Sequence, residues 1–226
     1  MAYEKFKKLD GKKHDRMIKA TIAISLAKFN ILLVAFTAAY DAVQLERCQK
    51  GEIKNVSKGG PKGNLDTFEK KLFFILYYLK TYPTFDVLGF LFGFSSGHAH
   101  NHVENLLPVL LRSLSDLGVL PERSPGTPAE FLQLVEKYGD IIIDGLECSC
   151  VRPQDEERQK ARFSGKKRHT IKAVAVTSLH RQILFLFCVF AGSIHDYKLM
   201  KKIFDHNLKW FNQVNLWLDL GFQGAN

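Results

Sequence analysis

Apolar residues follow two rhythms along this chain. Up to about residue 115 they recur at three- and four-residue steps, which is helical spacing. Beyond residue 139 they come in short unbroken runs, the signature of buried strands. Residues 20–40 (ATIAISLAKFNILLVAFTAAY) form the longest apolar stretch. Its length approaches the ~20 residues that cross a bilayer, but Lys28 and Asn30 stand in its middle. A central lysine costs about 2.5–3.5 kcal/mol on insertion scales, so the stretch is expected to be a buried helix rather than a membrane span. Residues 41–50 continue it or follow a bend. Residues 1–19 are polar and Lys-rich, a frayed arm or a short first helix.

Three further helices are expected between residues 65 and 114. Asp66 or Thr67 caps the first, Thr84 the second and Ser95 the third. Tyr82 and Pro83 end the first, and Gly93 turns the chain before the third. On that third helix Val103, Leu106, Leu107 and Leu110 share an apolar face. His98, Asn101, His102 and Asn105 repeat the same spacing on another face. A short helix, a glycine turn and a helix with a polar outer stripe is the layout of a helix-turn-helix, whose stripe would meet DNA bases or phosphates. A plain three-helix packing unit with a wet polar side fits the same pattern. His98 and His102 stand one turn apart, a zinc-like spacing with no third ligand.

Residues 54–64 (KNVSKGGPKGN) form a Lys- and Gly-rich loop, suited to phosphates or simply a solvated linker. Residues 117–128 carry three prolines and two glycines and make the best domain boundary. The expected organisation is a helical arm and basic loop (1–64), a helix-turn-helix domain (65–120), a linker with a short helix (121–139) and a sheet domain (140–226).

In the sheet domain Ile141, Ile142 and Ile143 read as a strand buried on both faces. Asp144 is expected at its carboxyl end, with Gly145 turning the chain away. A polar basic segment covers residues 152–169. Strands follow at 170–178 and 183–190 around a turn, then a helix at 195–206 and a strand at 214–218 that ends on Asp219. A lead strand, two meandering strands and a helix crossing to a parallel strand open the ribonuclease-H-like order. That order makes Asp144 and Asp219 neighbours, and the same pattern also fits other α/β topologies. The fold class is thus mixed: an amino-terminal all-α helix-turn-helix domain, then an incomplete ribonuclease-H-like α/β domain.

Charge extends the picture. A formal net charge of +9 favours a polyanionic partner. Cys48, Cys148, Cys150 and Cys188 are too few for a disulfide scaffold at this length and read as free thiols in a reducing cytosol. Two neighbouring carboxylates can hold divalent cations, and a pair of such ions drives phosphodiester cleavage. Strand-end aspartates capping turns are the plainer alternative.

Five ordered stretches resemble bacterial insertion-sequence transposases of the DDE superfamily, the IS-five-like group. LKTYPTFDVL at residues 79–88 is similar to that group's helix-turn-helix, and IDGLE at 143–147 to the strand bearing its first catalytic Asp. FSGKKRHTIK at 163–172 resembles its basic segment, GSIHD at 192–196 its turn before a helix, and LDLGFQG at 218–224 its second catalytic Asp. The resemblance implies that Asp144 and Asp219 are catalytic and metal-binding, with Mg²⁺ or Mn²⁺ as cofactor. It also implies that Lys166, Lys167, Arg168 and His169 lie along the DNA. The expected partner is double-stranded DNA of the element's terminal repeats, with no membrane partner and a cytoplasmic, nucleoid-associated location.

The family's third acid is a Glu on a helix downstream, and this chain ends seven positions past Asp219 (226 − 219) without one. The resemblance therefore implies a truncated transposase, or a first frame completed by a second polypeptide, and homo-oligomers are a further expectation. The alternative is a non-catalytic DNA-binding protein that represses transposition, or an inactive relic.

Overall fold

A computed structural model describes residues 2–55, 63–164 and 167–219. The chain divides into two compact units, Met1–Leu120 and Pro121–Asn226. The first is helical. Its described elements are α1 (Ala2–Phe6), α2 (Asp15–Ile22), α3 (Leu26–Gln49), α4 (Phe68–Thr81), α5 (Phe85–Phe92) and α6 (Ser96–Asp116).

Side-chain oxygens of Thr67, Thr84 and Ser95 accept from the backbone N–H of Lys70, Val87 and His98 at 3.2, 3.4 and 3.3 Å. Each satisfies a donor that the start of its helix leaves without an intrahelical partner. Phenylalanines from four helices then fill the centre. The rings of Phe6 and Phe73 lie 4.6 Å apart, and those of Phe74 and Phe92 4.9 Å apart. Gly89 lets the turn between α5 and α6 fold back, because a Cβ there would collide with the Phe94 carbonyl. Asn64 donates to the carbonyls of Phe92 and Gly93 at the end of α5, tying the chain before α4 to the same turn.

The long apolar stretch differs from expectation in two ways. It breaks early, at Ala23, whose φ is 68°. Ser25 then caps α3, which runs to Gln49 with no bend at Asp41. Nor is α3 buried all round. Phe29, Leu32, Phe36, Ala39 and Val43 face the core, while Ile31, Val34 and Leu45 are exposed. A helix whose one face packs α4 and α6 leaves its far side uncovered. The short first helix is present as α1, with Tyr3 and Phe6 buried.

The second unit contains α7 (Pro128–Val135), a single 3₁₀ turn, β1 (Asp140–Ser149), α8 (Glu156–Arg162), β2 (Phe163–Ser164), β3 (Arg168–Ser178), β4 (Ile183–Leu186), β5 (Phe190–Ala191), α9 (Asp196–Ile203) and β6 (Asn215–Leu218). The strand order is β2-β3-β1-β6, with β4 and β5 also pairing β3. β1 is antiparallel to β3 and parallel to β6, which is the mixed sheet that the order of elements implied.

Phe131, Ile141, Ile143, Val174, Val176, Phe185, Leu199 and Phe204 bury one face of this sheet. The other face is open. Ile142 is half-buried rather than buried, and Leu146, Ile183 and Trp217 are exposed. The expectation of a strand buried on both faces is therefore corrected: β1 alternates, and only its odd-numbered residues enter the core. The expected end of β1 at Asp144 is also corrected. β3 is long enough to pair it as far as Ser149, so Gly145 stays in the ladder.

Two other segments depart from the sequence reading. The basic stretch contains α8, capped by Asp155 at 2.8 Å from the Arg158 N–H. The apolar run at 183–190 splits into β4 and β5, and a register shift separates Val176 from Thr177 in β3.

Candidate nucleic-acid and metal interface

Parallel pairing sets the geometry of the aspartates. Ile141 lies opposite Leu216 and Ile143 opposite Leu218. One step further brings Asp144 beside Asp219, on strands about 4.8 Å apart. Side chains alternate along each strand, so both carboxylates project from the face that carries Ile142 and Trp217. That is the open face, and both aspartates are exposed. The Trp217 indole donates to Asp140 Oδ1 at 3.0 Å, joining β6 to β1 across the start of this pair. Asp144 Oδ1 accepts from the Gly145 N–H at 2.7 Å, which steadies one oxygen and leaves the other facing solvent.

The nearby acids belong to the opposite face. Glu147 lies an odd number of positions from Asp144 and accepts from Thr170 Oγ1 at 2.8 Å. Asp196 stands over Gly145, its Oδ1 3.1 Å from where a Cβ would be, and takes a 3.1 Å bond from Lys172 Nζ. Lys172 also donates to the Ile194 carbonyl at 3.1 Å, so this lysine ties the turn before α9 to the sheet. Among the described residues no cluster of three or more His, Cys, Asp or Glu could hold a metal ion.

The polar stripe on α6 is not uniform. His98 and Asn101 are exposed, and His98 Nδ1 lies 3.2 Å from Ser95 Oγ. His102 instead packs its ring against Phe74 and Phe94, at 5.9 and 5.1 Å. Burial, with His98 and Lys71 nearby, holds its pKa below the ordinary histidine value. Asn105 accepts from Arg47 Nη1 at 2.8 Å, and Arg47 also meets Glu52 at 3.2 Å. Arg47 borders this surface. Sequence reading missed it, because Arg47 reaches it from another helix.

In the basic segment Lys166 lies outside the described residues. Lys167 adopts a left-handed backbone, φ 59°, and donates its N–H to the Ser164 carbonyl at 3.1 Å. Arg168 is exposed at the start of β3. His169 packs edge-on to Phe163, ring centroids 5.6 Å apart. With Arg152, Gln159 and Lys160 these two rings line a shallow cavity of about 390 Å³. His169 lies six residues along β3 from Ala175, the partner of Asp144, so roughly 20 Å separates this basic end from the aspartates.

Residues 63–116 match the family model described as helix-turn-helix of DDE superfamily endonuclease, and residues 143–226 match DDE superfamily endonuclease. The chain belongs to the DDE endonuclease superfamily. Searches of curated proteins and of solved structures gave no match. The first matched region spans α4, α5 and α6 and includes the exposed start of α6. The second contains β1, β3 and β6, and so both aspartates. The two matched regions therefore fall one in each unit.

Proposed function

We propose that this chain is a transposase of a bacterial insertion sequence, working in the cytoplasm on double-stranded DNA of its element's ends. The observation that carries the reading is the parallel pairing of β1 with β6, which supports Asp144 and Asp219 as a side-by-side pair on an open face. Two carboxylates on rigid strands supply hard oxygen donors and leave room for water and phosphate, so they fit two ligands of a Mg²⁺ or Mn²⁺ site. When bound, such ions activate a water or 3′-hydroxyl and stabilise the leaving oxygen.

The chain's own residues hold and place the DNA. His98 and Asn101 at the exposed start of α6 are the candidates for base contact, while Lys166, Lys167, Arg168 and His169 lie along phosphates. Phosphate contacts of that kind position the duplex rather than read it. His102 and Asn105 contribute indirectly, His102 by packing α6 onto α4 and Asn105 by holding Arg47.

A second reading rests on the exposed start of α6, which lies in a different unit from the aspartates: the chain occupies element ends without cutting them and represses transposition. One experiment separates the two. Purified chain is mixed with duplexes carrying the DNA that flanks its own gene, with Mn²⁺ or Mg²⁺. Salt-sensitive binding weakened by Asn101→Ala, without nicking, supports the repressor. Nicking abolished by Asp144→Asn or Asp219→Asn supports the catalytic reading. No binding at low salt contradicts both.

A further inference from the structure

The outward side of α3 carries a pattern that its own fold does not use. Ala27, Ile31, Val34, Ala38, Asp41 and Leu45 follow one another at alternating steps of four and three residues. That is the a/d spacing of a coiled-coil seam. The residues that pack α3 into its unit, Phe29, Phe36 and Val43, repeat every seven on the opposite side. The seam is open to solvent, with Ile31 61%, Val34 74% and Leu45 54% exposed. Five of its six members are apolar, an unusual amount of uncovered apolar surface in one line.

We propose that this face of α3 binds the same face of a second copy, giving an antiparallel homodimer. The charges choose the occupant and the direction. In a parallel pair Asp41 would stand in the seam against its own copy, and like charges there oppose association. In an antiparallel pair centred between Val34 and Ala38, Val34 meets Ala38 of the second copy and Ala27 meets Leu45. Lys28, exposed beside Ala27, then lies about three residues along the axis from Asp41 of the second copy, roughly 4.5 Å, within reach of its long side chain. This contact occurs twice by symmetry. The two alanines allow the helix backbones to approach closely where they cross. A lipid surface suits the face less well, because the Asp41 carboxylate stands within the seam and the other side of α3 is packed against protein.

The test is the mass of the full chain by sedimentation velocity over a concentration series without DNA. The proposal expects a dimer, and Val34→Glu should weaken it at least about tenfold (~1.4 kcal/mol) while leaving the melting curve unchanged at concentrations low enough for both proteins to be monomeric, since Val34 is exposed and outside the core. Lys28→Glu or Asp41→Lys alone should weaken the dimer, and Lys28→Glu with Asp41→Lys should restore it. A monomer throughout, or a dimer that tolerates Val34→Glu, overturns the proposal. A double charge exchange that fails to restore association overturns the antiparallel direction. Monomeric chain that floats with neutral phosphatidylcholine vesicles would assign the face to lipid instead.

Discussion

The two units spend their apolar residues differently. In the helical unit, Phe6, Phe73, Phe74 and Phe92 converge on one centre and the helices close around it. In the sheet unit, apolar residues cover one face of a single sheet, and the other keeps Ile142, Leu146 and Trp217 half-covered or exposed. The contrast shows where each unit keeps its chemistry. The closed helical unit presents polar groups on the outside of α6. The sheet unit places its carboxylates on the uncovered face, where both are exposed to solvent.

The contrast is broken most severely by emptying either core. Phe73→Ala and Phe131→Ala, in completely or nearly completely buried positions, should each cost about 3–5 kcal/mol, read as a fall in the midpoint of urea unfolding. The two faces of the sheet can be compared within one strand. Ile143→Ala should cost about 2–5 kcal/mol, whereas Ile142→Ala on the open face should cost about 1 kcal/mol, in proportion to its partial burial. Equal losses would mean that the open face is covered in solution.

Much of this contrast was legible in the chain. The apolar runs at 141–143, 170–178 and 214–218 mark strands, and in the ribonuclease-H-like order the last lies parallel beside the first; other α/β topologies fit the same runs, and the pairing of β1 with β6 decides among them. The length of β1 was not legible. It depends on how far β3 pairs with it, and that is a property of a partner 31 positions away (175 − 144). α8 escaped because EERQKAR has no apolar face; only Asp155 as cap and the Glu-to-Arg gradient mark it. The break at Ala23 escaped for a different reason. A left-handed turn usually calls for glycine or asparagine, and here Ser25, ready to cap α3, redirects the chain instead. On α6, spacing grouped His102 with His98 but could not show that Phe74 and Phe94 claim its ring.

Smaller effects refine the comparison. Thr127 and Glu130 form a reciprocal capping box at the start of α7, with the Thr127 N–H 2.8 Å from Glu130 Oε2. Thr127→Ala should cost about 1 kcal/mol, seen as a modest drop in melting temperature without change in DNA binding. His102 gives the helical unit a pH signature. Its pKa is lowered on folding, so the unfolded chain takes up a proton first as pH falls through the ordinary value of 6.5. Stability should therefore decline below that point and level off once the folded imidazole is protonated too. Thermal melts between pH 8 and 5 should show the decline in the native chain and a reduced decline in His102→Phe.

The most direct test of the account is Mn²⁺ binding followed by electron paramagnetic resonance on the full chain. The account predicts weak binding by the native protein that is lost in both Asp144→Asn and Asp219→Asn, with unfolding midpoints within about 0.5 kcal/mol of native, as expected for exposed side chains. Binding that survives both substitutions, or that requires only one of the two aspartates, would contradict a shared site on the open face.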